Sequence, residues 1–183
     1  MSLVTIAALE CSSIAQGIVT ADAMLKTADV ELVECSTLSP GRYWVMIAGE
    51  LAAVRASHRR GIEISAETLL DQVFIPQLHE GVLPALHGRV PMGDDDALGV
   101  IETLTATSAI LAADLAAKAA NITLRDIRLA NGIGGKGVVT VCGSVSAVQA
   151  AIEAGKEDAG KRGLLARAVV IARLDARLRS RIG

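Results

Sequence analysis

The sequence predicts an α+β fold built from two similar domains in tandem. Three observations support this prediction: a long internal repeat, short apolar runs that alternate with amphipathic segments, and turn residues between them. The repeat is clearest where residues 21–30, ADAMLKTADV, return as residues 113–122, ADLAAKAANI. The offset of 92 residues, 113 minus 21, is too long for a solenoid repeat and indicates a duplicated domain.

The first copy begins with a predicted strand and an amphipathic helix. Residues 3–9 are a short apolar run, which is typical of a buried strand. Ser13 precedes Gln16 by three residues, a capping-box signature that predicts a helix extending to about Ala28. The apolar stripe of this helix, at helical spacing, consists of Ile14, Ile18, Ala21 and Leu25.

Turn residues divide the rest of the first copy. Pro40 fixes φ and Gly41 permits positive φ, so the sequence Ser39-Pro40-Gly41 predicts the tight turn of a hairpin. Gly61 is expected to cap the helix that follows this hairpin. The elements predicted in this way are strands over 30–38, 43–48 and 69–75 and a helix over 51–60.

The second copy repeats this order and completes the fold prediction. Its elements are strands over 97–103, 122–130, 137–143 and 164–171, helices over 106–120 and 145–162, and a final helix. Each copy therefore has the order β-α-β-β-α-β-α, a ferredoxin-like or split βαβ arrangement. The polar, breaker-rich residues 89–96 are the expected linker between domains at 1–88 and 97–183.

The composition is unusually apolar, with 51% hydrophobic residues and a mean hydropathy of +0.45. No run reaches the roughly 18 apolar residues that a membrane-spanning helix needs. Domains of about 90 residues are marginally stable alone. The excess of apolar residues is therefore expected at subunit interfaces, which resemble a core cut in half.

Charge and cysteine content exclude other classes of function. The net charge is −2 with both signs interspersed, and there is one Trp, one Tyr and one Phe, so a nucleic-acid role is disfavoured. No basic residue precedes Lys26, so the charged start of a signal peptide is missing. The three cysteines are widely spaced, which is typical of reduced cytosolic thiols rather than of a disulfide framework.

No stretch of the sequence carries a catalytic constellation. Residues 132–137 are glycine-rich, but a Walker loop needs Ser or Thr after its Lys, where Gly137 stands, and then a helix. The histidines lack metal-ligand spacing, and His58 is expected on a solvated helix face beside two arginines. The acidic residues 94–96 lie in the linker and lack calcium-loop spacing. We therefore predict a protein without enzymatic activity, resident metal or cofactor.

The repeated segment 21–30 closely resembles the signature helix of bacterial microcompartment shell proteins. The following residues are similar as well: a strand, the small-residue turn 39–41, a strand that ends at 49–50, and a helix that opens at 52–54. Both copies match over nearly their full length, in unpermuted order. The chain resembles the tandem-domain, trimer-forming class, and within it the propanediol-utilisation type.

The resemblance implies a structural shell protein that forms a homotrimer. Its six domains would surround a central pore as a pseudo-hexamer, and such discs would tile with other shell proteins into facets around encapsulated enzymes. Small metabolites would cross through the pore, whose width and lining set its selectivity. The implied location is a bacterial microcompartment in the cytoplasm, with no nucleic-acid partner and no membrane partner.

The resemblance also assigns pore residues and predicts that no metal cluster is present. In the family the turn between the second and third strands lines the pore, and the matching residues are Ser39, Pro40 and Gly41 with Gly134 and Gly135. The propanediol-type relatives carry a cysteine in the first turn, where three copies hold an iron–sulfur cluster. Ser39 occupies that position, and a hydroxyl replaces a thiolate poorly. Cys35 is expected to pack within its strand.

For the outer edge of the disc, the family's conserved positions fall on four residues, Lys26, Lys118, Arg173 and His79. In the first copy Gln77 stands where the family has an arginine, which weakens the expected edge contact there. Two other functions stay open at this stage. One is an iron–sulfur electron conduit in the shell, and the other is a small-molecule-binding regulatory protein built from paired ferredoxin-like domains.

Overall fold

The computed structural model of the protein describes residues 4–93, 97–179 and 181–182. The acidic residues 94–96 of the expected linker lie outside the described residues. The chain divides into two compact units. The first consists of the residues up to Leu78 together with 105–107 and 130–135, and the second of 79–104, 108–129 and the residues from 136 onwards.

The order of elements is the predicted one in both copies. The strands are β1 (Thr5–Cys11), β2 (Glu31–Leu38), β3 (Arg42–Gly49), β4 (Leu69–Ile75), β5 (Ala97–Thr103), β6 (Thr123–Leu129), β7 (Gly137–Gly143) and β8 (Leu165–Ile171). The helices are α1 (Ile14–Thr27), α2 (Leu51–Ser65), α3 (Val82–His87), α4 (Ala106–Ala119), α5 (Val145–Lys161) and α6 (Ala176–Arg179).

Each unit contains one four-stranded antiparallel sheet. The strand orders are β2-β3-β1-β4 and β6-β7-β5-β8, as the ferredoxin-like prediction requires. The two sheets also share their irregularities, because the register shifts after Glu10 in β1 and after Glu102 in β5. These positions are 92 residues apart, 102 minus 10, so the duplication is preserved in the hydrogen-bond register.

The core of the first unit lies between its sheet and the helices α1 and α2. Strand residues Ala7, Leu9, Val45 and Ile47 pack with helix residues Ala21, Met24 and Val54. Gly61 was expected to cap α2, and that prediction is wrong, since the helix continues to Ser65. A Cβ atom on Gly61 would lie 2.4 Å from Leu9 Cδ1, so the glycine allows the helix to pack closely on the sheet. Gly155 in α5 has the same function against Ile101, at 2.6 Å.

Two side chains of the first unit differ from the sequence prediction. His58 is not solvated: it is only 8% exposed and stacks on Phe74, with ring centroids 5.7 Å apart. The periodicity of α2 places it on the buried face with Val54 and Gly61. Only half of the predicted capping box forms: Ser13 Oγ accepts from Gln16 N, but the Gln16 side chain donates to the carbonyl of Ile64.

The described helices include none that is both long and apolar enough to cross a bilayer.

We predict that His58 makes stability fall on acidification. Burial disfavours the imidazolium form and lowers the pKa of His58, against a smaller opposing effect of a hydrogen bond with Gln72. A lowered folded-state pKa contributes stability that is present above the unfolded value of about 6.5 and is lost as the pH falls below it. His58→Gln should therefore show a shallower loss of unfolding free energy between about pH 7.5 and pH 5 than the wild type, measured by urea denaturation. Equal slopes for the two proteins would contradict this assignment.

Candidate functional site

The first hairpin turn, residues 39–41, has the predicted conformation. Ser39, Pro40 and Gly41 are all exposed, and Gly41 has φ +76°, which glycine adopts without strain. A Cβ atom added to Gly41 would have no atom of the described residues within 4 Å. The tip between β2 and β3 is therefore accessible, and at Gly41 it is free of packing contacts with described residues.

The second turn, between β6 and β7, contributes a glycine to the same place. Gly135 belongs to the first compact unit and is buried, with φ +83°. A Cβ atom there would lie 3.0 Å from the carbonyl oxygen of Ser39 and 3.1 Å from Pro40 Cδ. Gly134 is exposed. The structure thus brings Ser39, Pro40 and Gly135 together, three of the five residues assigned to the pore.

A buried carboxylate lies directly behind these turns. Glu10 in β1 is 0% exposed, and its Oε1 accepts a 2.7 Å hydrogen bond from Arg42 Nη1, at the start of β3. Arg42 also donates to the carbonyl of Gly135 at 3.4 Å. The other oxygen, Oε2, accepts from the backbone amides of Ala106 at 2.8 Å and Thr107 at 3.3 Å. These amides open helix α4, where the helix dipole favours a negative charge.

The charge state of Glu10 follows from opposing effects. Burial raises the pKa of Glu10 above its ordinary value. The guanidinium of Arg42 and the two amides act in the other direction, because they stabilise the carboxylate. Glu10 thus connects a hairpin turn to the first turn of a helix that is almost a hundred residues away in sequence.

Two further side chains hold the start of α4. Trp44 Nε1 donates to Thr107 Oγ1 at 3.2 Å, and Thr105 Oγ1 donates to Asp71 Oδ2. Strands β1, β3 and β4 each supply one partner. No local sequence pattern predicted this cluster. The signal that the sequence offered was a glutamate within an apolar strand that recurs in both copies, as Glu10 and Glu102.

The second copy has the same ion pair, but it is more exposed. Lys136 Nζ lies 2.7 Å from Glu102 Oε1, with side-chain exposures of 42% and 32%. Arg42 and Lys136 occupy equivalent positions, as do Glu10 and Glu102, since Glu10 pairs with Trp44 across the sheet and Glu102 with Val138. The duplication thus preserves the charges while the burial differs.

Among the residues assigned to the disc edge, two meet at one carboxylate. Asp114, with a 2% exposed side chain, accepts from Lys118 Nζ at 2.6 Å and from the backbone amide of His79 at 2.8 Å. In the first copy Lys26 pairs with Asp22 at 2.7 Å, with exposures of 73% and 57%. Arg173 is exposed after β8. In both copies the lysine therefore pairs with an aspartate four residues earlier, but the pair is more buried in the second copy.

The prediction that Cys35 packs within its strand is wrong. Cys35 pairs with Val45 across the sheet and so lies on the same face as that core residue, but it is exposed because β2 is an edge strand. A hydrogen bond with this thiol, together with partial burial, raises the pKa of Tyr43 to about 12. Cys11 and Cys142 are buried, and neither forms a disulfide bond with a described residue.

The described residues offer little for catalysis. No three His, Cys, Asp or Glu side chains among them come together as a metal site requires. A groove of about 340 Å³ follows the exposed face of α2, lined by Leu51, Ala52, Arg55, Ala56 and Arg59. Its polar groups are guanidinium cations, which supply neither a nucleophile nor a general base at neutral pH.

We predict that Glu10 is a major source of stability in the first unit. Glu10→Ala should lower the unfolding free energy by about 3 kcal/mol, since Arg42 and two helix amides lose their buried partner. Glu153→Ala is the matched control, because Glu153 is an exposed carboxylate that pairs with Lys156 on α5, and it should leave stability unchanged. Urea denaturation of the three proteins measures both effects. An unfolding free energy of Glu10→Ala equal to that of the wild type would contradict this role.

Comparisons with known proteins agree with the duplicated architecture. A family model described as the BMC domain matches residues 5–78 and again residues 97–174. The bacterial microcompartment shell protein PduT of Citrobacter freundii is 40% identical over 165 residues, which cover 90% of each chain. The carboxysome assembly protein CcmO of Synechocystis is 27% identical over 85% of this chain and 56% of its own length.

Solved structures show the same fold. A microcompartment protein from Desulfitobacterium hafniense DCB superposes with a TM-score of 0.84 and 41% identity, over 99% of this chain and all of that chain. A fused permuted hexameric shell protein from the RMM microcompartment has a TM-score of 0.64 at 20% identity, over 85% of this chain and 81% of that one, and shows the likeness of fold. The chain therefore belongs to the bacterial microcompartment shell protein family, with two BMC domains in tandem.

Proposed function

We propose that three copies of this chain form a pseudo-hexameric disc that tiles with other shell proteins into the facets of a microcompartment. Each chain would supply two shell domains, at 1–88 and 97–183, joined by residues 89–96. The two matches of the BMC domain and the 40% identity to a shell protein support this function. The enclosed enzymes would exchange small metabolites with the cell through the centre of the disc.

The observation that carries the pore proposal is the contact between the two hairpin turns. Gly135 lies against Ser39 and Pro40, so equivalent turns of the two copies adjoin one another, as the lining of a shared opening requires. The exposed residues there include Ser39, Gly41 and Gly134, which offer a hydroxyl and backbone dipoles. Hydroxyls and backbone dipoles favour small polar or anionic solutes over apolar ones.

The edge proposal rests on the two lysines. Lys26 and Lys118 each keep an i,i+4 carboxylate partner, which orients the long side chain along its helix. Lys26 is the more exposed of the two, so it is the better candidate for contacts with a neighbouring disc. His79 and Arg173 would lie along the same edge.

An iron–sulfur electron conduit is the alternative function. Its family version needs a cysteine thiolate at the position of Ser39. The exposed thiol in this region is Cys35, four residues earlier, in β2 and engaged with Tyr43. A hydroxyl at the tip favours a metabolite pore over a cluster site.

The tiling prediction concerns Lys26. We expect the wild type to form flat hexagonal arrays or tubes that are visible by negative-stain microscopy. Lys26→Ala should remove these arrays, and sizing should still give a trimer. Lys156→Ala is the matched control, since Lys156 also pairs with a carboxylate on the same helix, and it should leave the arrays intact. If Lys26→Ala does not form a trimer, Lys26 belongs to the interface within the trimer and not to the edge between discs. A wild type that forms no arrays under any condition would contradict the facet function.

The cofactor prediction concerns Ser39. Protein expressed and purified anaerobically should show no visible absorption band of an iron–sulfur cluster, because the tip offers a hydroxyl instead of a thiolate. A cluster band in the wild type that disappears in Cys35→Ser would contradict the prediction and identify Cys35 as the ligand.

A further inference from the structure

Equivalent helices of the two copies are buried to very different extents. Ile110 in α4 is 0% exposed, whereas Ile18, its equivalent in α1, is 52% exposed. The Asp114 side chain is 2% exposed, whereas that of Asp22 is 57% exposed. Equivalent positions are therefore buried in α4 and exposed in α1, although both helices have an apolar stripe.

The first turn of α4 and its Asp114 have identifiable hydrogen-bond partners. Glu10 and Asp71 hold its first turn, and the backbone amide of His79 donates to Asp114. Each of these partners has an equivalent in the second copy. Glu10 pairs with Asp71 across the sheet as Glu102 pairs with Arg167, and the same register makes Asp175 the equivalent of His79.

The equivalent partners in the second copy are exposed as well. Val73 and Ile75 of β4 are 5% and 3% exposed, whereas Val169 and Ile171 of β8 are 36% and 38% exposed. Arg167 is exposed, where Asp71 of the first copy is buried. The chain therefore presents a helix surface (Ile14, Ile18, Asp22 and Leu25) and a strand surface (Glu102, Arg167, Val169 and Ile171), and the equivalent residues of the other copy are buried.

We propose that the strand surface of one chain binds the helix surface of a second copy of the same chain, and that Glu102 caps the partner's α1 as Glu10 caps α4. Ile14 and Ala15 are the positions equivalent to Ala106 and Thr107, so their amides are the donors to the Glu102 carboxylate. The occupant is a second copy because the complementary surface is on this chain, and because Glu10, the equivalent of Glu102, already accepts from the equivalent amides of Ala106 and Thr107.

The proposal extends to the hairpin turns. Arg42 donates to the carbonyl of Gly135, and its equivalent Lys136 would donate to the carbonyl of the partner's Gly41. Because the two surfaces are different, the contact is head-to-tail, and it leaves no unmatched surface only when the chains close into a ring. The inference rests on the proposed trimer and specifies the residues that close it.

The test measures how fast trimers exchange subunits. Isotopically light and heavy trimers are mixed, and native mass spectrometry follows the mixed species, while circular dichroism checks that each variant is folded. Ile18→Glu places a charge in the proposed contact, and Asp22→Ala removes the acceptor for the partner's Asp175 amide. Both should exchange at least about tenfold faster than the wild type.

Two variants serve as controls. Leu51→Glu introduces the same charge at a position that is exposed in both copies, since Leu51 is 43% and its equivalent Val145 is 39% exposed. Glu153→Ala removes an exposed, lysine-paired carboxylate from α5. Both should exchange at the wild-type rate.

The outcomes separate this inference from the proposed function. If the Ile18→Glu and Asp22→Ala trimers exchange subunits no faster than the wild-type trimer, the assigned surfaces are wrong and the shell function is unaffected. Equally fast exchange in Leu51→Glu also overturns them, because association would then not depend on the proposed positions. A wild type that is monomeric overturns the proposed trimer and the inference together.

Discussion

The buried carboxylate of Glu10 is the interaction on which the arrangement of the first unit depends. It lies within an apolar strand, where an unpaired charge would be strongly unfavourable. Its stability comes from three donors that approach from different parts of the chain: Arg42 beside the hairpin tip and the amides of Ala106 and Thr107. Because the carboxylate needs all of them, it fixes the position of the tip relative to the first turn of α4.

The two copies contain an equivalent carboxylate and cation but differ in how far these side chains are buried. The second copy keeps the carboxylate and the cation as Glu102 and Lys136, but both side chains remain partly exposed in the single chain. The same contrast runs through Asp114 and Asp22, and through Ile110 and Ile18. Glu10 meets its helix amides within the chain, whereas the equivalent carboxylate Glu102 is partly exposed and the equivalent helix residues Ile14 and Ala15 are exposed.

Much of the fold could be predicted from the sequence, because the ends of many elements are marked by local sequence patterns. Strands β4, β5 and β7 begin and end where short apolar runs meet turn residues or proline, so local patterns were sufficient. The repeat also supplied each element twice. The errors arose where tertiary packing decides. Gly61 continues a helix because Leu9 requires a residue without a side chain, and His58 is buried by the register of α2. The contacts of Glu10 join residues 96 and 97 positions apart, so no local pattern could reveal them.

The neighbouring glycines of the second turn differ in how they can change during evolution or engineering. A Cβ atom at Gly135 would lie only 3.0 Å from the Ser39 carbonyl oxygen, and the φ of +83° is strained for a residue with a side chain, so substitution here is unfavourable. At Gly134 an added Cβ atom would meet no described atom within 4 Å, and its φ of +68° is one that Asn and Asp tolerate. A carboxylate or an amide could thus be introduced at Gly134 without repacking the turn. In the proposed pore, the chemistry of the lining can therefore change at residue 134, while residue 135 keeps the backbone conformation of the turn.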